Sequence, residues 1–121
     1  MTRAKWREAI IQATTEAGTY RPFFDAVIET LSTILERRDK LEKQYKKNGS
    51  EPLIEYTNKN GSDNMVINPE LRLINELNRD ALSYWRDLGL TPAGLKKIND
   101  EAINGGKKKN ALVEALKELG S

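Results

Sequence analysis

The sequence predicts a mainly α-helical protein: a long antiparallel helical hairpin with a small β-hairpin or ordered loop at its tip, plus short N- and C-terminal helices. Three observations predict it. Two long segments, 21–49 and 68–89, repeat apolar residues at helical spacing. The stretch 51–67 between them breaks that period with β-favouring runs. Shorter helical patterns stand before and after this pair.

The N-terminal helix is predicted over residues 3–17. Trp6, Ile10 and Ala13 or Ala17 share one side at helical spacing, and Gly18 can end the helix in a left-handed conformation.

The first long helix begins near Pro22, which suits a first helical turn, and ends near Asn48-Gly49. Its apolar stripe is wide in the first half, which predicts a core contact, and narrow in the second half, which predicts a seam with a partner helix. Arg38 interrupts this seam, and a cation at a seam position destabilises the helix packing unless a carboxylate pairs with it. We expect the seam to serve oligomer formation; its residues are Leu31, Ile34, Arg38, Leu41 and Tyr45.

The insert 51–67 carries "PLIEYT" and "MVI" on either side of "NKNGSDN". Asn60-Gly61 can supply the positive φ angles of a tight hairpin turn, so a small β-hairpin is predicted here.

The second long helix is predicted to begin with Asn68 as its cap and Pro69 in its first turn. Thr91 then caps a third helix that begins at Pro92. "NGGKKKN" at 104–110 predicts a linker, followed by a short amphipathic tail helix. The predicted domain is 1–104, with the core hairpin at 21–90, and 105–121 is the linker and tail.

The corner "YWRDLGLTPAGLKKI", residues 84–98, allows two interpretations. A helix-turn-helix that reads DNA joins two helices through such a glycine turn. However, a small residue usually stands four positions before the glycine, and Trp85 occupies that position. We therefore favour a corner that closes the core.

Composition excludes several functions. The chain has 121 residues, which predicts one domain, and at 38% apolar and 31% charged residues it has little apolar material for a self-sufficient core. Without Cys or His, disulfides are excluded, and structural zinc and the commonest general base are disfavoured. No catalytic, metal or cofactor motif is apparent, and we expect no enzyme, no metal and no cofactor. No membrane-length apolar run or secretory signal is present, so an intracellular protein is expected.

The segment "INPELRLINELNRDALSYWRDLGLTPAG" resembles the signature of one group of phage terminase small subunits. In that group an Asn-Pro dipeptide opens a helix that runs to a Leu-Gly-Leu-Thr-Pro corner. The corresponding residues here are Asn68, Pro69, Leu88, Gly89, Leu90, Thr91 and Pro92. Trp6 and Asp25 also match, and the similarity covers about residues 6–98. Members often carry an Arg after the Thr-Pro, where this chain has Ala93-Gly94-Leu95-Lys96.

The resemblance implies a non-enzymatic, ring-forming protein that binds viral double-stranded DNA and recruits or regulates the large subunit, which holds the ATPase and nuclease. It places the protein in the cytoplasm of the infected bacterial host. The tail 110–121 is a candidate contact for the large subunit. Candidate phosphate contacts are Arg3, Lys5, Arg7, Lys96, Lys97, Lys107, Lys108 and Lys109. The alternatives are a small helix-turn-helix transcription regulator and a helical adaptor without DNA affinity.

Overall fold

The protein is described by a computed structural model that covers the backbone of residues 1–119 and the side chains of 1–103, 115–117 and 119. Helices α2 and α3 pack along each other in opposite directions, α1 packs on α2, and α4 packs on α3. The predicted fold class is confirmed. The elements are α1 (Arg3–Ala17), a 3-10 turn (Pro22–Phe24), α2 (Asp25–Lys47), β1 (Leu53–Thr57), β2 (Asp63–Ile67), α3 (Pro69–Asp87) and α4 (Pro92–Leu119).

The helix ends are formed by the residues that the sequence indicates. Gly18 ends α1 with a φ of 74°, which a residue with a Cβ adopts at a cost. The Asn68 side-chain oxygen accepts a hydrogen bond of 3.0 Å from the Glu70 N–H and caps α3. Thr91 does the same for α4, because its hydroxyl accepts from the Gly94 N–H at 3.1 Å. These caps satisfy N–H groups that have no partner within their helices.

The core lies where α1, α2 and α3 meet. Its fully buried apolar side chains come from all three helices and from the end of α3; they are Ile10, Ile28, Leu31, Leu35, Ala81 and Leu88. The first half of α2 supplies three of them, whereas Leu41 and Tyr45 in its second half are only half-buried. This difference follows from the stripe that narrows along α2.

A two-stranded antiparallel sheet, the β-ribbon (residues 53–67), extends from the end of the α2–α3 pair, with Leu53 opposite Ile67 and Thr57 opposite Asp63. Its turn is longer than the Asn60-Gly61 pair predicts. Only Gly61 has a positive φ there, at 79°. The Asn58 side-chain oxygen accepts hydrogen bonds from the N–H groups of Asn60 and Ser62, each at 3.0 Å. The Asn58 side chain, rather than a second left-handed residue, therefore closes the turn.

Helix α4 differs from its prediction. It runs without a break through residues 104–110, where the sequence predicts a linker between two helices. Adding residues to an existing helix needs no new nucleation, and glycine lowers helix stability by about 1 kcal/mol per residue without blocking the hydrogen-bond ladder as proline does. The division into a domain at 1–104 and a tail at 105–121 stays a prediction.

Candidate nucleic-acid and subunit interfaces

The N-terminal arginines are already paired with carboxylates of α2. Arg3 Nε lies 3.3 Å from a Glu29 carboxylate oxygen, and Arg7 contacts Glu29 at 3.3 Å and Asp25 at 3.8 Å. Lys5 on the same helix is exposed and forms no ion pair with any described side chain. A phosphate that approached this end of α1 would compete with two carboxylates for both arginines. Of the three predicted contacts here, Lys5 alone offers an uncompensated charge.

Arg38 and Asp39 join α1, α2 and α3 in one polar network. The Trp6 indole N–H donates to Asp39 Oδ2 at 2.7 Å, and the Met1 ammonium lies 3.1 Å from the same oxygen. Arg38 binds Asp39 Oδ1 at 3.0 Å, donates to Asn78 Oδ1 at 3.3 Å, and places its guanidinium 5.5 Å from the centre of the Trp6 ring. Hence the cation that interrupts the α2 stripe is neutralised within the protomer.

These contacts also change the acidity of Asp39. Partial burial raises the pKa of the carboxyl, but the hydrogen bonds from Trp6, the Met1 ammonium and Arg38 outweigh it and hold the pKa below its ordinary value. The Asp39 carboxylate is therefore ionised over the physiological pH range, and its charge binds Arg38 and the Met1 ammonium of the same chain.

The residues of the predicted oligomer seam differ in how far their own chain covers them. Leu31 is fully buried in the protomer core. Ile34, Leu41 and Tyr45 are half-buried and keep some surface open. A contact between copies through these three side chains stays a prediction, whereas Leu31 makes its contacts within its own protomer.

The α3–α4 corner is tightly packed. The buried Thr19 hydroxyl donates to the Leu88 carbonyl at 2.7 Å. Gly89 has a φ of 73°, and a Cβ there would lie 2.8 Å from side-chain carbons of both Thr19 and Ile98. A Cβ built on Gly94 would overlap the Arg86 carbonyl oxygen, so the first turn of α4 rests directly on the backbone of α3. The corner therefore contributes to the packing of the protomer through glycines on both sides of Thr91.

Lys96 and Lys97 follow this corner on the exposed side of α4. Neither forms an ion pair with a described side chain. Lys97 lines a shallow depression of about 300 Å³ together with Arg86, Asp87 and Glu101. The side chains of the other predicted contacts on α4, Lys107, Lys108 and Lys109, lie outside the described residues.

The second half of α2 forms two further surfaces. Its outer side carries four lysines around a shallow depression of about 730 Å³, namely Lys40, Lys43, Lys46 and Lys47. A second depression of about 390 Å³ lies between α2 and α3, and we call it the hairpin groove. Leu41, Leu73 and Leu77 give it an apolar lining. Arg37 and Lys40 stand on its α2 side, and Glu76 and Asp80 stand on its α3 side.

Sequence reasoning missed two features of these surfaces. The close approach of the helices at the corner is made by Gly94, inside the second helix, and not by a small residue in place of Trp85. The sequence signal for this close approach was Gly94 itself, an isolated glycine within a helical pattern. The long-range bond from Trp6 to Asp39 had no signal in the sequence, because the two residues come together only when α1 folds onto α2.

Among the described residues, no cluster of acidic side chains is arranged to hold a metal ion. In residues 1–119, no helix has the length and hydropathy required to cross a membrane. Comparison with protein-family models matches residues 3–105 to the family described as the phage terminase small subunit. The searches of curated proteins and of solved structures returned no match.

Proposed function

This chain belongs to the family of phage terminase small subunits, which act in DNA packaging with the large subunit, and we propose that it assembles with copies of itself and binds viral double-stranded DNA. It also recruits or regulates the large subunit and catalyses no reaction itself. The family match over residues 3–105 is the observation that carries the proposal. The proposed place of action is the cytoplasm of the infected bacterial host.

Among the predicted phosphate contacts whose side chains are described, Lys5, Lys96 and Lys97 form no ion pair, and the last two lie together near the start of α4. Arg3 and Arg7 are held by carboxylates, whereas Lys96 and Lys97 are exposed and uncompensated by any described side chain. Both lysines stand within the first two turns of α4, whose N-terminal N–H groups carry a partial positive charge that attracts phosphates. We assign the phosphate contacts first to these two lysines and then to Lys107, Lys108 and Lys109.

Neutralising both lysines in the variant Lys96→Gln/Lys97→Gln is expected to weaken DNA binding and to flatten its salt dependence. The slope of log Kobs against log salt should fall by about 0.9 for every phosphate that the variant no longer binds. Binding of a linear double-stranded DNA fragment at several salt concentrations, measured by fluorescence anisotropy, gives this slope.

The matched control is Lys43→Gln/Lys47→Gln, which removes the same charge from the outer side of α2. It should leave the slope unchanged. A flatter slope in the control, together with a wild-type slope in the α4 variant, would move the DNA contact to α2 and contradict the assignment to α4.

The tail 110–121 is the proposed contact for the large subunit. Its residues 110–119 belong to α4, which begins at the α3–α4 corner. Deleting residues 110–121 should abolish capture of the large subunit in a pull-down, while far-UV circular dichroism still reports a folded chain. Undiminished capture would rule out the tail.

A further inference from the structure

The β-ribbon exposes apolar side chains that its own protomer does not cover. All five residues of β1 are exposed, and in β2 only Val66 is half-buried. Met65 is 60% exposed, Tyr56 56% and Ile67 49%. Two-stranded hairpins alone are marginally stable in water, and stability usually requires a third strand or a packed helix. The ribbon therefore has the composition of an interface segment.

The register of the ribbon divides these side chains between two faces, since opposed residues point to the same side. We call one of them the acidic ribbon face; it consists of Leu53, Glu55, Thr57, Asp63, Met65 and Ile67. Leu53 and Ile67 lie at the end near the helices, Glu55 and Met65 oppose each other in the middle, and Asp63 lies next to the turn. The carboxylates would repel phosphates, so DNA is a poor occupant for this face.

The hairpin groove matches the acidic ribbon face, because it offers apolar side chains and cations. Its lining is apolar, and Leu73 within it is 47% exposed. Both cations that line the groove, Arg37 and Lys40, belong to its α2 side. Residues 49–68, which include the ribbon, carry one basic and three acidic side chains. Glu76 and Asp80 stand on the α3 side, so an acidic ligand would lie toward the α2 side, over Leu41.

We propose that the acidic ribbon face of one protomer binds the hairpin groove of a second copy of this chain, with Met65 and Leu53 against the leucines and with Glu55 and Asp63 near Arg37 and Lys40. This inference rests on the proposed assembly of identical subunits and names the two surfaces that join them. The two cations on the α2 side of the groove complement the two carboxylates of the ribbon face, and with the exposed Leu73 they favour a second copy as the occupant.

The two surfaces differ, so the contact is head-to-tail. Each protomer offers one ribbon and one groove, and each bound copy leaves a free ribbon at one end and a free groove at the other. Such contacts build a ring when the rotation closes.

Two single substitutions test this arrangement. Met65→Asp introduces a charge into the ribbon face, and Leu73→Asp introduces one into the groove; both positions are about half exposed or more, so the fold should tolerate the change. Each variant alone is expected to lose the assembly that the wild type shows in light scattering. Mixed in equal amounts, they retain one intact ribbon and one intact groove between them. The mixture should give a discrete complex of twice the 13.7 kDa chain mass.

Several outcomes would overturn the inference. They are wild-type assembly by either variant alone, a mixture that forms no dimer, and normal assembly of Met65→Asp combined with loss of large-subunit capture. The last would assign the ribbon to the large subunit. In each case a wild type that assembles and binds DNA leaves the proposed function standing. A wild type that neither assembles nor binds DNA would remove the proposed function itself.

Discussion

Replacing Gly94 by alanine is expected to destabilise the protein by about 1 to 3 kcal/mol, the usual range for overpacking a tight contact. The new Cβ would overlap the Arg86 carbonyl oxygen, and a backbone atom cannot move aside by changing rotamer. In an unconstrained helix the same change stabilises by about 1 kcal/mol, because alanine is the better helix former. The sign of the effect therefore reports directly on the packing of α4 against α3. Urea unfolding monitored by tryptophan fluorescence measures it.

Ala93→Gly is the matched control for Gly94. Ala93 is its exposed neighbour in the same turn of α4, so this substitution measures helix propensity without a packing change. It should cost no more than about 1 kcal/mol. A Gly94→Ala variant that is as stable as the wild type, or more stable, would contradict the close contact between α4 and α3.

Replacing Asp39 by alanine is expected to cost about 1.5 to 3 kcal/mol, the range for hydrogen bonds to a charged group. The substitution leaves the Trp6 indole N–H without its acceptor and removes the carboxylate that pairs with Arg38 and the Met1 ammonium. Asn is the milder change, since its amide oxygen can still accept from Trp6 but carries no charge. Urea unfolding at pH 7 should therefore rank the wild type above Asp39→Asn and Asp39→Ala below both.

The stabilisation from Asp39 should depend on pH in a defined direction. Its pKa is lowered in the folded protein relative to an ordinary value of about 3.9. The contribution is therefore fully present above the unfolded pKa and is lost as the pH falls through the folded pKa. The stability gap between wild type and Asp39→Asn should shrink between pH 7 and pH 3.

Asp100→Asn serves as the control for charge, because Asp100 is exposed and forms no ion pair with any described side chain. Its unfolding free energy should stay within about 0.5 kcal/mol of the wild type at both pH values, as is usual for surface substitutions. If the gap between wild type and Asp39→Asn were the same at pH 3 as at pH 7, the carboxylate would not stabilise the fold through its charge.

The helices and their ends could be predicted because each depends on local chemistry. The caps at Asn68 and Thr91 and the left-handed end at Gly18 use residues whose preferences do not depend on the rest of the fold. The hairpin pairing follows from two apolar stripes of similar length. Helix α4 continues through 104–110, where the sequence predicts a linker, because a glycine pair lowers helix stability without preventing a helix that is already nucleated.

The surfaces could be predicted only in part, because they depend on contacts between distant segments. Arg3 and Arg7 look like free cations in the sequence, and their neutralisation by Glu29 appears only when α1 lies on α2. Leu31 has the spacing of a seam residue but is buried within the protomer. Periodicity identifies an apolar stripe without identifying whether the same chain or another copy covers it.

The mass of the wild-type protein in solution tests the central claim most directly, namely that this chain works as an assembly of identical subunits. Light scattering coupled to size exclusion should return a closed complex of several chains of 13.7 kDa each, with one defined stoichiometry across a range of protein concentrations. A single stable species at the mass of one chain, at concentrations where the protein binds DNA, would contradict it.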